Sequence, residues 1–192
     1  DSTNESYITS RLRLESGDLM DMPQLEEALI RFNRTNDVQL QADLKPGEAF
    51  ATTDVGLTVK EPPRQELRLT VDTLGSETTG KYRAGLAYQN RSLFGFRDDL
   101  MLSRTQALGQ ESDAITYAFP VNTWGGRLSW GYYKDKTAIK RGSLASLKIT
   151  GESEAQTISL RQPTYVDSRA QLDVVVGGKK RINTNWIDSV FL

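Results

Sequence analysis

The sequence predicts a mainly β chain, in which a small α+β unit precedes an antiparallel meander of the kind that builds a transmembrane β-barrel. Three observations carry this prediction. One strongly amphipathic helix lies near the N-terminus. From Glu66 onward, apolar and polar residues alternate almost without a break. The apolar faces of these segments carry Tyr, Trp or Phe near their ends, where membrane barrels place aromatic girdles.

Composition narrows the options. The chain has 192 residues, a formal net charge of -1, 38% hydrophobic residues and a mean hydropathy of -0.49. No run approaches the roughly 18 apolar residues of a membrane-spanning helix, but a barrel strand averages lipid-facing with lumen-facing residues and needs no such run. Cysteine and histidine are both absent, which excludes a disulfide framework, a cysteine–zinc site and histidine-based proton transfer. Lack of cysteine also fits an oxidising compartment. Basic residues are interspersed with acidic ones, so nucleic acid is not an expected partner. No charged–apolar–small signal segment opens the chain; Asp1 stands in a polar stretch, as in a mature or trimmed protein.

Residues 1–20 hold the remnant of another element, with Leu12 and Leu14 as its apolar positions. Asp21 is placed to cap a helix, with Gln24 completing a capping box and Pro23 in the first turn. Leu25, Ala28, Leu29 and Phe32 then share one face, Glu26, Glu27 and Arg31 lie mostly on the other, and Asn33 and Asn36 bracket the exit. Val38, Leu40, Ala42 and Leu44 alternate with Gln39, Gln41 and Asp43, which predicts a half-buried strand. Lys45-Pro46-Gly47-Glu48 reads as a type II turn, and Val55, Leu57 and Val59 as a second strand. This helix–strand–strand unit is too small to bury a generous core. Pro62-Pro63 reads as a linker, dividing the chain into 1–62 and 63–192.

Seven strands follow, centred on Leu67–Val71, Tyr82–Tyr88, Leu100–Leu102, Ile115–Val121, Leu128–Tyr132, Ile158–Leu160 and Leu172–Val176. The longest connection runs from Lys134 to Ser153, and Gly177-Gly178-Lys179-Lys180 reads as a hairpin turn. Tyr82, Tyr88, Phe119, Trp130 and Tyr132 are the girdle candidates. A soluble antiparallel sheet with one wet face shows the same alternation, so the pattern alone leaves both open.

A series of local strings adds a resemblance. Gly17-Asp18-Leu19, Leu25-Glu26-Glu27-Ala28-Leu29 and Phe32-Asn33-Arg34 are followed by Leu44-Lys45-Pro46-Gly47 and Ala51-Thr52-Thr53-Asp54-Val55. Thr73-Leu74-Gly75-Ser76-Glu77-Thr78-Thr79-Gly80 ends the first strand of the meander. The second leads into Asn90-Arg91-Ser92-Leu93-Phe94-Gly95-Phe96-Arg97-Asp98-Asp99-Leu100. Tyr117-Ala118-Phe119-Pro120-Val121 and Leu160-Arg161-Gln162-Pro163 mark later strand ends. In this order and spacing, from about Arg11 onward, the chain resembles the outer-membrane transporters of two-partner secretion, the hemolysin activator/secretion family. Ala51 stands where that family has glycine, and Thr73 where it has asparagine. The family's V-R-G-[YF] loop motif does not occur in these residues, and its members carry a complete barrel, a plug helix and a further POTRA domain.

The resemblance implies that 1–62 is an N-terminally truncated, POTRA-like periplasmic domain and 63–192 the first seven or so strands of an incomplete outer-membrane barrel in a Gram-negative bacterium. It further implies type V, two-partner export, without a cofactor, of a large exoprotein with an N-terminal secretion domain. The other expected partner is outer-membrane lipid. An extended client segment can pair with an exposed sheet edge; the candidate edge is Val38, Gln39, Leu40, Gln41, Asp43 and Leu44, flanked by Glu26, Glu27 and Arg31. Arg68, Arg83, Gln89, Arg127 and Gln171 are candidate lumen residues, either lining a hydrophilic path or filling it by pairing with acidic neighbours. An enzyme is not expected: strand neighbours such as Asp98 and Asp99 point to opposite faces, no histidine activates a nucleophile, and no phosphate loop is present. A barrel-inserting protein of the same superfamily and a soluble β-rich binding module are the alternatives. An open half-barrel exposes a broad apolar face, so the isolated chain is expected to self-associate or require detergent.

Overall fold

The computed structural model describes residues 2–13, 21–47, 52–187 and 190–191. Leu14, the string Gly17-Asp18-Leu19, Glu48, Ala51 and Leu192 lie outside these. Two helices, α1 (Glu5–Leu12) and α2 (Met22–Thr35), precede a hairpin of β1 (Gln39–Pro46) and β2 (Thr53–Lys60). Eight strands follow: β3 (Gln65–Asp72), β4 (Arg83–Asn90), β5 (Asp99–Ala107), β6 (Gln110–Pro120), β7 (Arg127–Ala138), β8 (Thr150–Val166), β9 (Gln171–Ile187) and β10 (Val190–Phe191). β1 and β2 form a sheet of their own. β3 to β10 form a second sheet in sequence order, every neighbour antiparallel. Among the described residues its outer strands do not pair with each other, so the sheet is open.

The apolar position expected at Leu12 belongs to α1. The predicted helix is α2: the Gln24 N–H donates to Asp21 Oδ1 at 3.3 Å, with Pro23 in the first turn. Tyr7, Ile8 and Leu12 of α1, Phe32 of α2, and Val38 and Leu40 form one buried cluster, against which Ala28, Leu29 and Leu57 pack. The rings of Tyr7 and Phe32 meet edge to face, 6.3 Å apart.

Several sequence expectations are corrected. The strand after α2 runs through Lys45 and Pro46, which pair with Asp54 and Thr53, so the turn starts only after them. Proline is tolerated there because it stands at the strand end. The meander has eight described strands rather than seven. The connection expected from Lys134 to Ser153 shrinks to residues 139–149, because charged residues on both sides continue the ladder: Lys134 pairs with Glu154 and Lys136 with Glu152. Gly177 and Gly178 lie inside β9, not in a turn. There a Cβ on Gly177 would come within 2.8 Å of the Ile158 carbonyl oxygen, so the glycine marks close strand approach.

Candidate functional site

The strand directions give the large sheet two rims. The connections 91–98, 121–126 and 167–170 fall at one rim, and 73–82, 108–109 and 139–149 at the other. The first rim meets the helical unit at every connection. Asn4 N–H donates to Gly95 O at 2.9 Å, Arg11 Nη2 to Asn122 O at 3.0 Å, and Arg34 Nη2 to Ser168 O. The second rim is tied to itself: Gly109 N–H donates to Thr79 O, and Lys140 and Arg141 N–H to Thr78 O.

At the centre of the first joint lies Arg97, whose side chain is fully buried. Its Nε donates to Asp37 Oδ1 at 2.9 Å, its Nη2 to Asp37 Oδ2, and its Nη1 to Ser2 Oγ at 3.1 Å. The Ser2 carbonyl in turn accepts from Ser92 Oγ at 2.7 Å. Glu61 accepts from Ser2 N–H, Ser2 Oγ and Thr3 N–H at 2.8–3.0 Å. Partial burial raises the Glu61 pKa, but these hydrogen bonds and the charge of Arg97 outweigh it and hold the carboxyl at about 2. The loop that presents Arg97 is shaped by Gly95 and Arg97, both at positive φ. A Cβ on Gly95 would lie 2.5 Å from Asn4 Oδ1, so only glycine fits there. Asp98, also buried, accepts from Phe94 N–H and Tyr117 O–H, while Asp99 accepts from Gln89 on the other side. The two carboxylates diverge and form no dyad.

The candidate strand edge has a specific geometry. β1 pairs only with β2 among the described residues. The Asn33 side chain, from α2, occupies the first position of its other edge: Nδ2 donates to Leu40 O at 2.9 Å and Oδ1 accepts from Leu40 N–H at 2.7 Å. Backbone groups of alternate residues point the same way, so Ala42 and Leu44 present theirs to the open side, and Pro46 has no N–H to offer. The edge is therefore a short window between an asparagine and a proline. Val38 and Leu40 have buried side chains and belong to the core, whereas Gln39, Gln41, Asp43 and Leu44 are exposed. Glu26 stands seven residues before Asn33, about two helical turns, and so shares its side of α2. Glu27 and Arg31 lie about 120–160° further round and face Trp124, whose ring centroid is 5.0 Å from the Arg31 guanidinium.

The cross-strand register also sorts the faces of the large sheet. Leu67, Tyr88, Leu102, Ile115 and Tyr132 lie opposite one another on one face, as do Leu100, Tyr117, Trp130 and Ile158. This face is largely uncovered: Leu69 is 76% exposed and Val71 83%. Of the girdle candidates, Tyr88 and Phe119 stand near strand ends, Tyr82 precedes β4, and Trp130 and Tyr132 fall within β7. Arg68, Arg83, Gln89, Arg127 and Gln171 all lie on the opposite face, and each is paired. Arg68 bonds Glu66 at 2.6 Å, Arg83 bonds Asp72 at 2.8 Å, Gln89 bonds Asp99 at 2.8 Å, and Gln171 bonds Asp173 at 2.9 Å. Arg127 donates to the Arg97 carbonyl at 3.0 Å, which makes it part of the joint. Sequence reasoning missed Asp37, Arg97 and the capping role of Asn33. A loop arginine reads as solvated, and the string Asn90–Leu100 carried the resemblance without assigning Arg97 a role.

Known proteins share this fold. The family described as "Haemolysin secretion/activation protein ShlB/FhaC/HecB" matches residues 51–192. A curated relative, "Outer membrane transporter CdiB-2" of Burkholderia pseudomallei (strain 1026b), is 23% identical over 183 residues, which cover 90% of this chain and 30% of the relative. Among solved structures, CdiB from Escherichia coli aligns with a TM-score of 0.73 at 16% identity, over 97% of this chain and 36% of its own. CdiB from Acinetobacter baumannii gives 0.69 at 17%, over 99% and 37%. BamA from Haemophilus ducreyi lacking POTRA domains 1–3 gives 0.61 at 13%, over 97% and 40%. The chain thus spans about a third of the length of these proteins, with the fold of a POTRA-like unit followed by part of a barrel. With the family match extending from β2 through the whole large sheet, this chain belongs to the haemolysin secretion/activation family of ShlB, FhaC and HecB, the two-partner secretion transporters.

Proposed function

We propose that the chain is part of an outer-membrane translocase that recognises a large secreted exoprotein in the periplasm and exports it. Residues 1–62 act as the periplasmic unit and 63–192 as part of the barrel wall, in the outer membrane of a Gram-negative bacterium. The observation that carries this reading is the joint: the helical unit is hydrogen-bonded beneath all three connections at one rim of a sheet whose one face is apolar and uncovered. An uncovered apolar face suits lipid, and the paired, small-residue face suits a hydrated lumen. The client is received as an extended strand on the Ala42–Leu44 window of β1, with Glu26 beside it. Arg68, Arg83, Gln89 and Gln171 line the lumen with their side-chain donors already taken by carboxylates, which leaves a hydrophilic wall with little to hold a passing chain.

Deleting the gene and measuring the partner exoprotein in the medium tests this. The expected outcome is loss of the extracellular exoprotein with other outer-membrane barrels at normal levels. The likeness to BamA makes barrel insertion the second reading, and a general fall in those barrels decides for it. For the isolated 192-residue chain, light scattering without detergent is expected to show self-association through the uncovered face.

A further inference from the structure

We propose that the cleft between the two helices and the 121–126 connection is a binding site for a phosphate-bearing anion. Its walls are Arg11, Arg13, Arg31, Glu27 and Trp124, and it encloses about 190 Å³. Arg13 and Arg31 each hold the guanidinium 5.0 Å from the Trp124 ring centroid, and Arg11 stacks 3.5 Å over Tyr7. Packing on Trp124 orients the Arg13 and Arg31 guanidinium groups and leaves their N–H edges for a ligand.

The donors are under-used. The Arg13 side chain makes no hydrogen bond or ion pair among the described residues; only its backbone N–H donates, to Thr9 O. Arg31, with a side chain only 17% exposed, reaches Glu27 at 3.7 Å, beyond hydrogen-bond length. Among the described residues Arg11 Nε is buried without a partner, while its two Nη atoms are taken by the carbonyls of Tyr7 and Asn122. Among the described residues, three guanidinium groups stand against one carboxylate in a partly desolvated cleft, a costly arrangement unless an anion completes it. Phosphate matches the planar, forked donors of arginine better than a halide does.

The position indicates where such an anion comes from. Trp124, 49% exposed, hangs from the connection that joins Phe119 and Leu128, the last outward apolar pair of β6 and β7. If the large sheet spans the membrane, as proposed above, Trp124 sits at the level of the inner-leaflet headgroups, the place where interfacial tryptophans collect. A lipid phosphate and free phosphate offer the same chemistry, and the test separates them.

The full-length protein in dodecylmaltoside is titrated with short-chain phosphatidylglycerol, with inorganic phosphate and with polyglutamate, reading tryptophan fluorescence against a Trp124→Phe control. A saturable change with phosphatidylglycerol, absent in Trp124→Phe and weakened at least tenfold in Arg13→Gln/Arg31→Gln, supports a lipid-phosphate site. The same change with inorganic phosphate alone keeps the anion site and removes its membrane placement, whatever becomes of the transport reading. No Trp124-dependent response to either phosphate, or a response to polyglutamate only, overturns the proposal. Circular dichroism and an unchanged melting midpoint of the double variant in chloride buffer guard against misfolding as the cause.

Discussion

The two sheets are built from the same two-residue alternation and do opposite things with it. In the β1–β2 unit Val38 and Leu40 are buried in one cluster with residues of α1 and α2, and Leu57 packs against it. In the large sheet the equivalent positions face outward, with Leu67, Leu69 and Val71 all more than half exposed. Alternation specifies that one face shuns water; it does not specify what covers that face. The difference predicts opposite responses to the same substitution. Phe32→Ala should destabilise the helical unit by about 3–5 kcal/mol, through lost burial and a residual cavity. Leu69→Ala should change the stability of the detergent-solubilised protein by less than about 1 kcal/mol, because its side chain is mostly exposed and its removal leaves no enclosed cavity. Leu69→Arg, by contrast, should cost about 2–4 kcal/mol in a bilayer, whereas Thr70→Arg, on the other face, should be tolerated. Urea midpoints in vesicles and in detergent measure all four; a large loss from Leu69→Ala would mean that the outward face is covered by protein, not lipid.

The next effect concerns how the two regions are joined. Asp37→Ala should cost about 3 kcal/mol or more, because it leaves the Arg97 guanidinium buried without its carboxylate. Arg97→Met should cost less, since Asp37 is 43% exposed and can return to water. If the two variants prove equal, Arg97 is not held by the pair. Their melting curves also report on coupling: with the joint broken, the helical unit should melt before the large sheet rather than with it.

Much of this contrast was legible in the sequence. Asp21, Pro23 and the Leu25–Phe32 stripe announced α2, and strict alternation announced most of the meander, because both signals are local. The joint was not legible. Asp37 and Arg97 are far apart in sequence, and neither sits in a periodic pattern that predicts burial. The hairpin expected at Gly177–Lys180 failed for a related reason: glycine permits a turn but equally permits close strand approach, and the long register between β8 and β9 decides. Among the site residues, Gln41 and Asp43 could be read as exposed from alternation, but the asparagine that closes the edge beside them could not. Asn33 read as a helix exit residue because nothing local reveals that its amide reaches Leu40.

That closure gives a smaller prediction. Asn33→Ala should cost about 1 kcal/mol for the two lost hydrogen bonds and leave the Leu40 amide open. Hydrogen exchange should show Leu40 protected in the parent protein and fast in the variant, with the Ala42 amide fast in both. Because an unprotected edge recruits strands, the variant should also self-associate more readily at equal protein concentration.

The smallest effect is the pH dependence that Glu61 contributes at the joint. The Glu61 carboxyl has an ordinary value of 4.5 and is held at about 2 in the folded protein. A carboxyl whose folded pKa is depressed stabilises the fold fully above its unfolded value, and that contribution fades as pH falls. The window is therefore from about 4.5 down to about 2, where the folded group itself takes up a proton and releases Ser2 and Thr3. Other carboxylates titrate in the same range, so the diagnostic is a difference: Glu61→Gln should narrow the gap between melting midpoints at pH 6 and pH 3, mainly by lowering the one at pH 6. The amide retains one hydrogen-bond acceptor but loses the attraction to Arg97. An undiminished gap in Glu61→Gln would assign the acid sensitivity to carboxylates of the large sheet and leave the joint as a pH-independent clamp.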